Sequence, residues 1–179
     1  MRGRVILKDS IIDDGVIEIE GQFITRVCAA TEYEGDLPAP SDSTFLPGLV
    51  DVHCHGGGGE SFPNATTGEA AMVAVMEHRR HGTTSLVASC VTADADTLKA
   101  RARTLASLAK QGELAGIHFE GPFVSHARCG AQDPTYIVDP DPDLTRELIE
   151  LCEGYALSMT LAPEKPRAYG EGSVAEALI

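Results

Sequence analysis

Short apolar and polar alternations dominate the first part of the chain. Arg4 to Leu7, Gly15 to Glu20 and Phe23 to Val27 each show partial period-two patterning, and Gly21 stands between the last two. This pattern predicts a small layer of β-hairpins. From Tyr33 to Ser43 the chain carries Gly35, Pro38, Pro40 and several acids, the composition of a connector. A boundary is therefore expected near Phe45, with residues 1–44 as an N-terminal β portion and 45–179 as a second region. In that region the pattern becomes strand, loop and helix, repeated. Phe45 to His53 reads as a strand ahead of a glycine run, and Thr66 to Arg80 has helical spacing of Ala71, Val75 and His78 before Gly82. Thr84 to Ser89 is a second strand, followed by a helix from Asp96 to Gln111 that Gly112 closes. Ala115 to Glu120 is a third strand, a helix spans about Asp143 to Glu153, and Ala156 to Leu161 is a fourth strand. Strands alternating with helices of this length predict an α/β fold on a parallel sheet, either doubly wound or a β/α barrel.

Composition narrows the functional classes. The chain has 179 residues, 43% of them apolar, enough for a real core in about one domain's length. With 27 acidic residues against 14 Lys and Arg, the net charge is −13, which repels a phosphate backbone and argues against nucleic acid as a partner. Charge enters the first nine residues too early for a signal-peptide core, and no apolar run reaches the roughly 18 residues of a membrane span. A soluble cytoplasmic protein is the expectation. The five cysteines, at 28, 54, 90, 129 and 152, form no Cys-x-x-Cys pair and are expected as reduced thiols.

Chemistry concentrates at predicted strand ends. His53 and His55 are two residues apart, so both imidazoles project from one face while Cys54 points to the other. Two imidazoles converging at the C-terminal end of a barrel strand can bind a divalent metal. A bare His-x-His is also found in ordinary loops; its place after an apolar strand and before Gly56 to Gly59 raises it. Those glycines permit positive φ and close ligand approach, but their spacing is neither a phosphate loop nor a dinucleotide fingerprint. Glu120 ends the third strand at the same rim, followed by Gly121-Pro122-Phe123, and a carboxylate there completes a histidine metal site. His118, two residues deeper, is expected as a hydrogen-bonded supporting or core histidine, and His78 and His81 as helix-end residues favoured by the helix dipole. Cys129 beside Arg128 is open to a nucleophilic role, with an incidental loop thiol the simpler reading. Glu164, after the fourth strand, is open between a loop-fixing and a catalytic role.

Together these residues carry a resemblance. Pro47-Gly48-Leu49-Val50-Asp51-Val52-His53-Cys54-His55-Gly56 resembles the metal-binding opening of the amidohydrolase superfamily. Gly116 to Phe123, then Gly130-Ala131 and Met159 to Glu164, are similar to the N-acetylglucosamine-6-phosphate deacetylases of that superfamily. The resemblance implies a metal-dependent (β/α)8 TIM-type barrel, of which about four β/α units are present, preceded by part of a small β-sandwich. It implies hydrolysis of the N-acetyl group of N-acetylglucosamine 6-phosphate, a small amino-sugar phosphate, in amino-sugar catabolism, by a homodimer in the full-length form. Glu120 is implied as a metal ligand and His53 and His55 as ligands of a second metal position, giving a two-metal site of zinc, iron or a similar divalent ion. Where relatives often place a sugar-contacting histidine after Gly-Ala, this chain has Gln132, expected to bind substrate.

The family pattern continues past Ile179 with two more metal-binding histidines, a phosphate site and an aspartate that serves as general base and acid. A complete barrel needs about 250 residues. The expectation is that the 179-residue chain alone, lacking a catalytic aspartate, has no appreciable deacetylase activity. Two other classes stay open: an amidohydrolase acting on another N-acyl or cyclic amide, and a non-catalytic half-barrel binding module.

Overall fold

The computed structural model describes residues 1–179, which divide into two compact units, Met1–Gly48 and Leu49–Ile179. The first unit is a four-stranded sheet in the order β3-β2-β1-β4, built from β1 (Arg2–Ile6), β2 (Ile11–Glu20), β3 (Phe23–Ala29) and β4 (Thr44–Phe45). β1, β2 and β3 pair antiparallel, and β4 runs parallel to β1. Gly21, at φ 62°, opens a two-residue turn between Glu20 and Phe23, a conformation that favours glycine. Val5, Val16, Ile17, Cys28 and Ala30 are buried in this unit, whereas Phe23 and Ile24 are exposed.

The second unit begins with β5 (Leu49–Cys54), a small ribbon of β6 (Gly56–Gly57) and β7 (Glu60–Ser61), and α1 (Gly68–Arg80). It continues through β8 (Thr83–Val91), α2 (Ala95–Lys110), β9 (Gly116–Glu120), α3 (Pro142–Leu151), β10 (Ala156–Thr160) and the short α4 (Val174–Ala177). The sheet order is β10-β9-β8-β5 and every pairing in it is parallel. Consecutive strands lying side by side, each joined to the next through a helix, make this a partial (β/α)8 barrel rather than a doubly wound sheet, whose order reverses.

Local chemistry starts each helix. The side chains of Thr67, Asp94 and Asp141 accept hydrogen bonds from first-turn N–H groups of α1, α2 and α3, and Pro142 opens α3 where its missing N–H costs nothing. The helices cover one face of the sheet. Leu86, Ala88, Cys90, Ile117 and Phe119 meet Ala71, Ala74, Leu98, Leu105 and Leu148 in one cluster, all at most 4% exposed. β8 extends to Val91, two residues beyond its expected end, because Cys90 and Val91 stay paired with Phe119 and Glu120. No helix is long and apolar enough to cross a membrane.

Candidate metal centre

Alternation along the strands turns His53, Ser89, His118 and Glu120 to the face the helices leave uncovered. β8 lies between β5 and β9, yet the long side chains at the strand ends meet across it. His53 Nε2 is 2.8 Å and His55 Nε2 2.9 Å from the same Glu120 oxygen, Oε2, and the two imidazole nitrogens are 2.9 Å apart. Both histidines keep substantial access, with side chains 51% and 40% exposed, and Glu120 is at 25%.

Further partners orient this triangle. His55 Nδ1 lies 3.2 Å from the Ser89 carbonyl oxygen, which only accepts, so the ring proton sits on Nδ1 and Nε2 presents its lone pair to the centre. Glu120 Oε1 accepts a 2.8 Å hydrogen bond from Gln132 Nε2, and Gln132 Oε1 accepts one of 2.8 Å from the Thr92 N–H. Gln132 is thus tied down at both ends of its amide, aiming Oε2 at the histidines. Burial alone would raise the Glu120 carboxyl, but the hydrogen bonds from Gln132 and His53 hold it below the ordinary carboxylate value. Gly121, at φ 90°, lets the chain leave Glu120 tightly over Thr92; a Cβ there would collide with the threonine hydroxyl.

Beneath the triangle lies a buried polar layer. His118, 4% exposed, has Nδ1 3.0 Å from Ser89 Oγ and Nε2 2.9 Å from Thr160 Oγ1, so both nitrogens are occupied and it stands outside the triangle. Burial first, and His53 second, push its pKa down and keep it neutral. Its ring packs edge-on against His53, with centroids 4.8 Å apart. Ser89 Oγ also accepts the Cys54 N–H at 3.1 Å, tying β5 to β8. Ser89, Thr92 and Thr160 were not singled out in the sequence. The available signal was alternation: Ser89 is the polar residue that interrupts the apolar run from Leu86 to Val91, in register with His118.

The remaining candidates lie elsewhere. His81 stays at the end of α1, with Nδ1 2.9 Å from the Glu77 carbonyl. His78 turns inward from the same helix to Cys54 and Gly56. Cys129 is partly buried in the loop after β9, and Glu164 is exposed in a turn after β10.

The donor set fits a divalent cation. With His55 Nε2 fixed as an acceptor, it faces a carboxylate oxygen at 2.9 Å, a repulsive pairing unless a cation or proton lies between. All three ligand atoms, about 2.9 Å apart, are within reach of one ion at the usual metal–ligand distance of about 2.0–2.2 Å.

A partial β/α barrel with a His-x-His strand end and a facing glutamate defines a class, and comparison with known proteins agrees. Residues 44–178 match the amidohydrolase family, and the chain belongs to it. It is 30% identical over 177 residues to the N-acetylglucosamine-6-phosphate deacetylase of Bacillus subtilis (strain 168), covering 92% of this chain and 44% of that protein. An N-acetylgalactosamine-6-phosphate deacetylase of Shewanella sp. (strain ANA-3) is 27% identical over 140 residues, covering 75% of this chain and 36% of the relative. Among solved structures, the N-acetyl-D-glucosamine-6-phosphate deacetylase of Mycobacterium smegmatis superposes with a TM-score of 0.81 at 35% identity, over 98% of this chain and 47% of the other. The chain therefore spans about half the length of the relatives it matches.

Proposed function

We propose that the chain contributes the first half of the metal centre of a deacetylase that hydrolyses N-acetylglucosamine 6-phosphate to glucosamine 6-phosphate and acetate. The convergence of His53 Nε2, His55 Nε2 and Glu120 Oε2 within 2.9 Å carries the reading, and the deacetylase relatives supply the substrate class. These three residues are the ligands this chain offers to a zinc- or iron-type two-metal site in the whole protein. A divalent ion bound there would polarise the acetyl carbonyl and bring the pKa of water to about 7.

The chain's own residues hold that site in shape. The Ser89 carbonyl keeps the His55 proton on Nδ1, away from the centre. Gln132 neutralises no charge; it fixes the rotation of the Glu120 carboxylate, and its second Nε2–H remains to meet a sugar hydroxyl. His118 stays neutral beneath His53 and adds no competing positive charge. In the same proposal the sheet of residues 1–48 is one part of a small β-sandwich, and the proton-transferring aspartate comes from the other half of the barrel.

The test has two arms. One equivalent of divalent metal bound by the purified 179-residue chain is expected to be lost in the His53→Ala/His55→Ala and Glu120→Ala variants. Metal-dependent acetate release from N-acetylglucosamine 6-phosphate is expected from the protein carrying a complete barrel, and not from the 179-residue chain alone. A complete barrel that binds metal but hydrolyses only the galactosamine epimer or another N-acyl substrate would overturn the substrate assignment; a metal content per chain unchanged by Glu120→Ala would overturn the site.

A further inference from the structure

The metal centre leaves a second group of ligand-type side chains unused. On the helix-facing side of β5, Cys54 Sγ lies 3.1 Å from His78 Nε2. Both approach the Gly56 carbonyl oxygen, at 3.6 and 3.0 Å. A carboxylate oxygen of Asp51 joins them, the three side chains offering ligand atoms that all lie within 4.8 Å of one another. Asp51 is oriented by the His53 N–H, which donates to Oδ1 at 3.1 Å and leaves Oδ2 without a hydrogen-bond partner. Cys54 is buried, whereas Asp51 and His78 are half-buried, so the group lies at the margin of the core and opens toward solvent.

The backbone is shaped around this group. A Cβ on residue 57 would sit 2.9 Å from His78 Nε2, so the glycine at that position is what admits the imidazole. Interaction with the helix dipole accounts for a histidine at the end of α1, but not for a ring turned inward to a thiol and a carbonyl. His81, three residues on, stays exposed beside Glu77.

We infer that Asp51, Cys54 and His78, with the Gly56 carbonyl, form a second divalent-metal site distinct from the His53, His55 and Glu120 centre and independent of the deacetylase reading. One sulfur, one imidazole nitrogen and two oxygens select a borderline-soft ion of the zinc, cobalt or cadmium type over magnesium or calcium, which take oxygen ligands. Binding breaks the Cys54 S–H bond, forms a sulfur–metal bond and releases the proton to solvent; the metal-free His78 donates its Nε2–H to the Gly56 carbonyl, and on binding that proton is exchanged through solvent to Nδ1, so that the neutral imidazole binds through Nε2. Four protein donors leave no open position, so the ion is structural and pins β5 and the glycine ribbon to α1.

Cobalt(II) titration of the chelator-stripped purified protein tests this directly. Sulfur-to-cobalt charge transfer in the near ultraviolet reports cysteine coordination, and the His53, His55 and Glu120 centre contains no sulfur. The expected result is a band that saturates with one equivalent, persists in His53→Ala/His55→Ala and disappears in Cys54→Ser. In His78→Gln, cobalt affinity measured by this band falls at least tenfold, and zinc content falls by one ion per chain. A protein without the band, or one whose band survives Cys54→Ser, overturns the site. Circular dichroism checks the fold of each variant; should Cys54→Ser fail to fold, an unchanged cobalt affinity in the half-exposed His78→Gln variant overturns it as well.

Discussion

The two faces of the parallel sheet were built from the same strands to opposite ends. The helix-facing side presents Leu86, Ala88, Cys90, Ile117 and Phe119, each at most 4% exposed and packed without a polar atom to satisfy except the thiol. The other side presents His53, Ser89, His118 and Glu120, and along β5 Val50 and Val52 remain 67% exposed. Adjacent residues of one strand, such as Phe119 and Glu120, therefore do different work. One removes apolar area from water; the other holds a charge at a fixed angle. The comparison teaches that stability and chemistry are separable here at single-residue spacing, because strand geometry alternates side chains across the sheet.

That separation can be broken experimentally. The largest effect is expected on the packed face: Phe119→Ala should cost about 3–5 kcal/mol of unfolding free energy. Urea denaturation measures it, and a loss under about 1 kcal/mol would mean that the helix layer does not depend on this ring. On the open face, Glu120→Ala should reverse the pattern. It is expected to weaken divalent-metal binding at the His53 and His55 centre by more than about 100-fold while changing stability by about 1 kcal/mol or less, as competition with a chelating dye in a Cys54→Ser background and the same urea titration would show.

A milder change sharpens the role of the residues around the triangle. Gln132→Leu removes the hydrogen bond that helps hold the Glu120 carboxyl below its ordinary value. Metal affinity should fall about tenfold, and the acid limb of binding should move to higher pH, because a proton then competes more effectively for the carboxylate. An unchanged acid limb with weaker binding would assign Gln132 to substrate or loop structure instead.

The last effect belongs to the packed face and is absent at neutral pH. Burial pushes the thiols of Cys90 and Cys152 up to about 12. In the unfolded chain they would ionise near 9.0, so the stability they contribute is complete below that value and is lost as pH rises from 9 toward 12. Denaturation midpoints between pH 8 and 11 should decline accordingly. At pH 8, a thiol reagent should modify Cys129, the one cysteine that is not buried, before the other four.

Much of this arrangement was legible in the sequence, for local reasons. The helices expected over 66–80, 96–111 and 143–153 form at Gly68–Arg80, Ala95–Lys110 and Pro142–Leu151, with Thr67, Asp94 and Asp141 capping them within two residues of the expected starts. The two-residue spacing of His53 and His55 put both on one face with Cys54 behind them, since that follows from strand periodicity alone. The supporting contacts were not legible. Gln132 stands 12 residues from Glu120 and 40 from Thr92, and its place between them depends on how the loop after β9 folds back. His78 was read as a helix-end residue because the helix dipole is a local effect; its contact with Cys54 spans 24 residues and requires the glycine at 57.

By itself the sequence determined which segments alternate, where helices start, and which side chains could serve as ligands, because these depend on neighbours within a few residues. The tertiary structure decided the partners. Parallel register between β8 and β9 sets His118 against Ser89, the Ser89 carbonyl selects the His55 tautomer, and the crossing of three strands brings Glu120 to both histidines. Those choices arise from packing between residues 29 to 67 positions apart, distances over which local patterning carries no information.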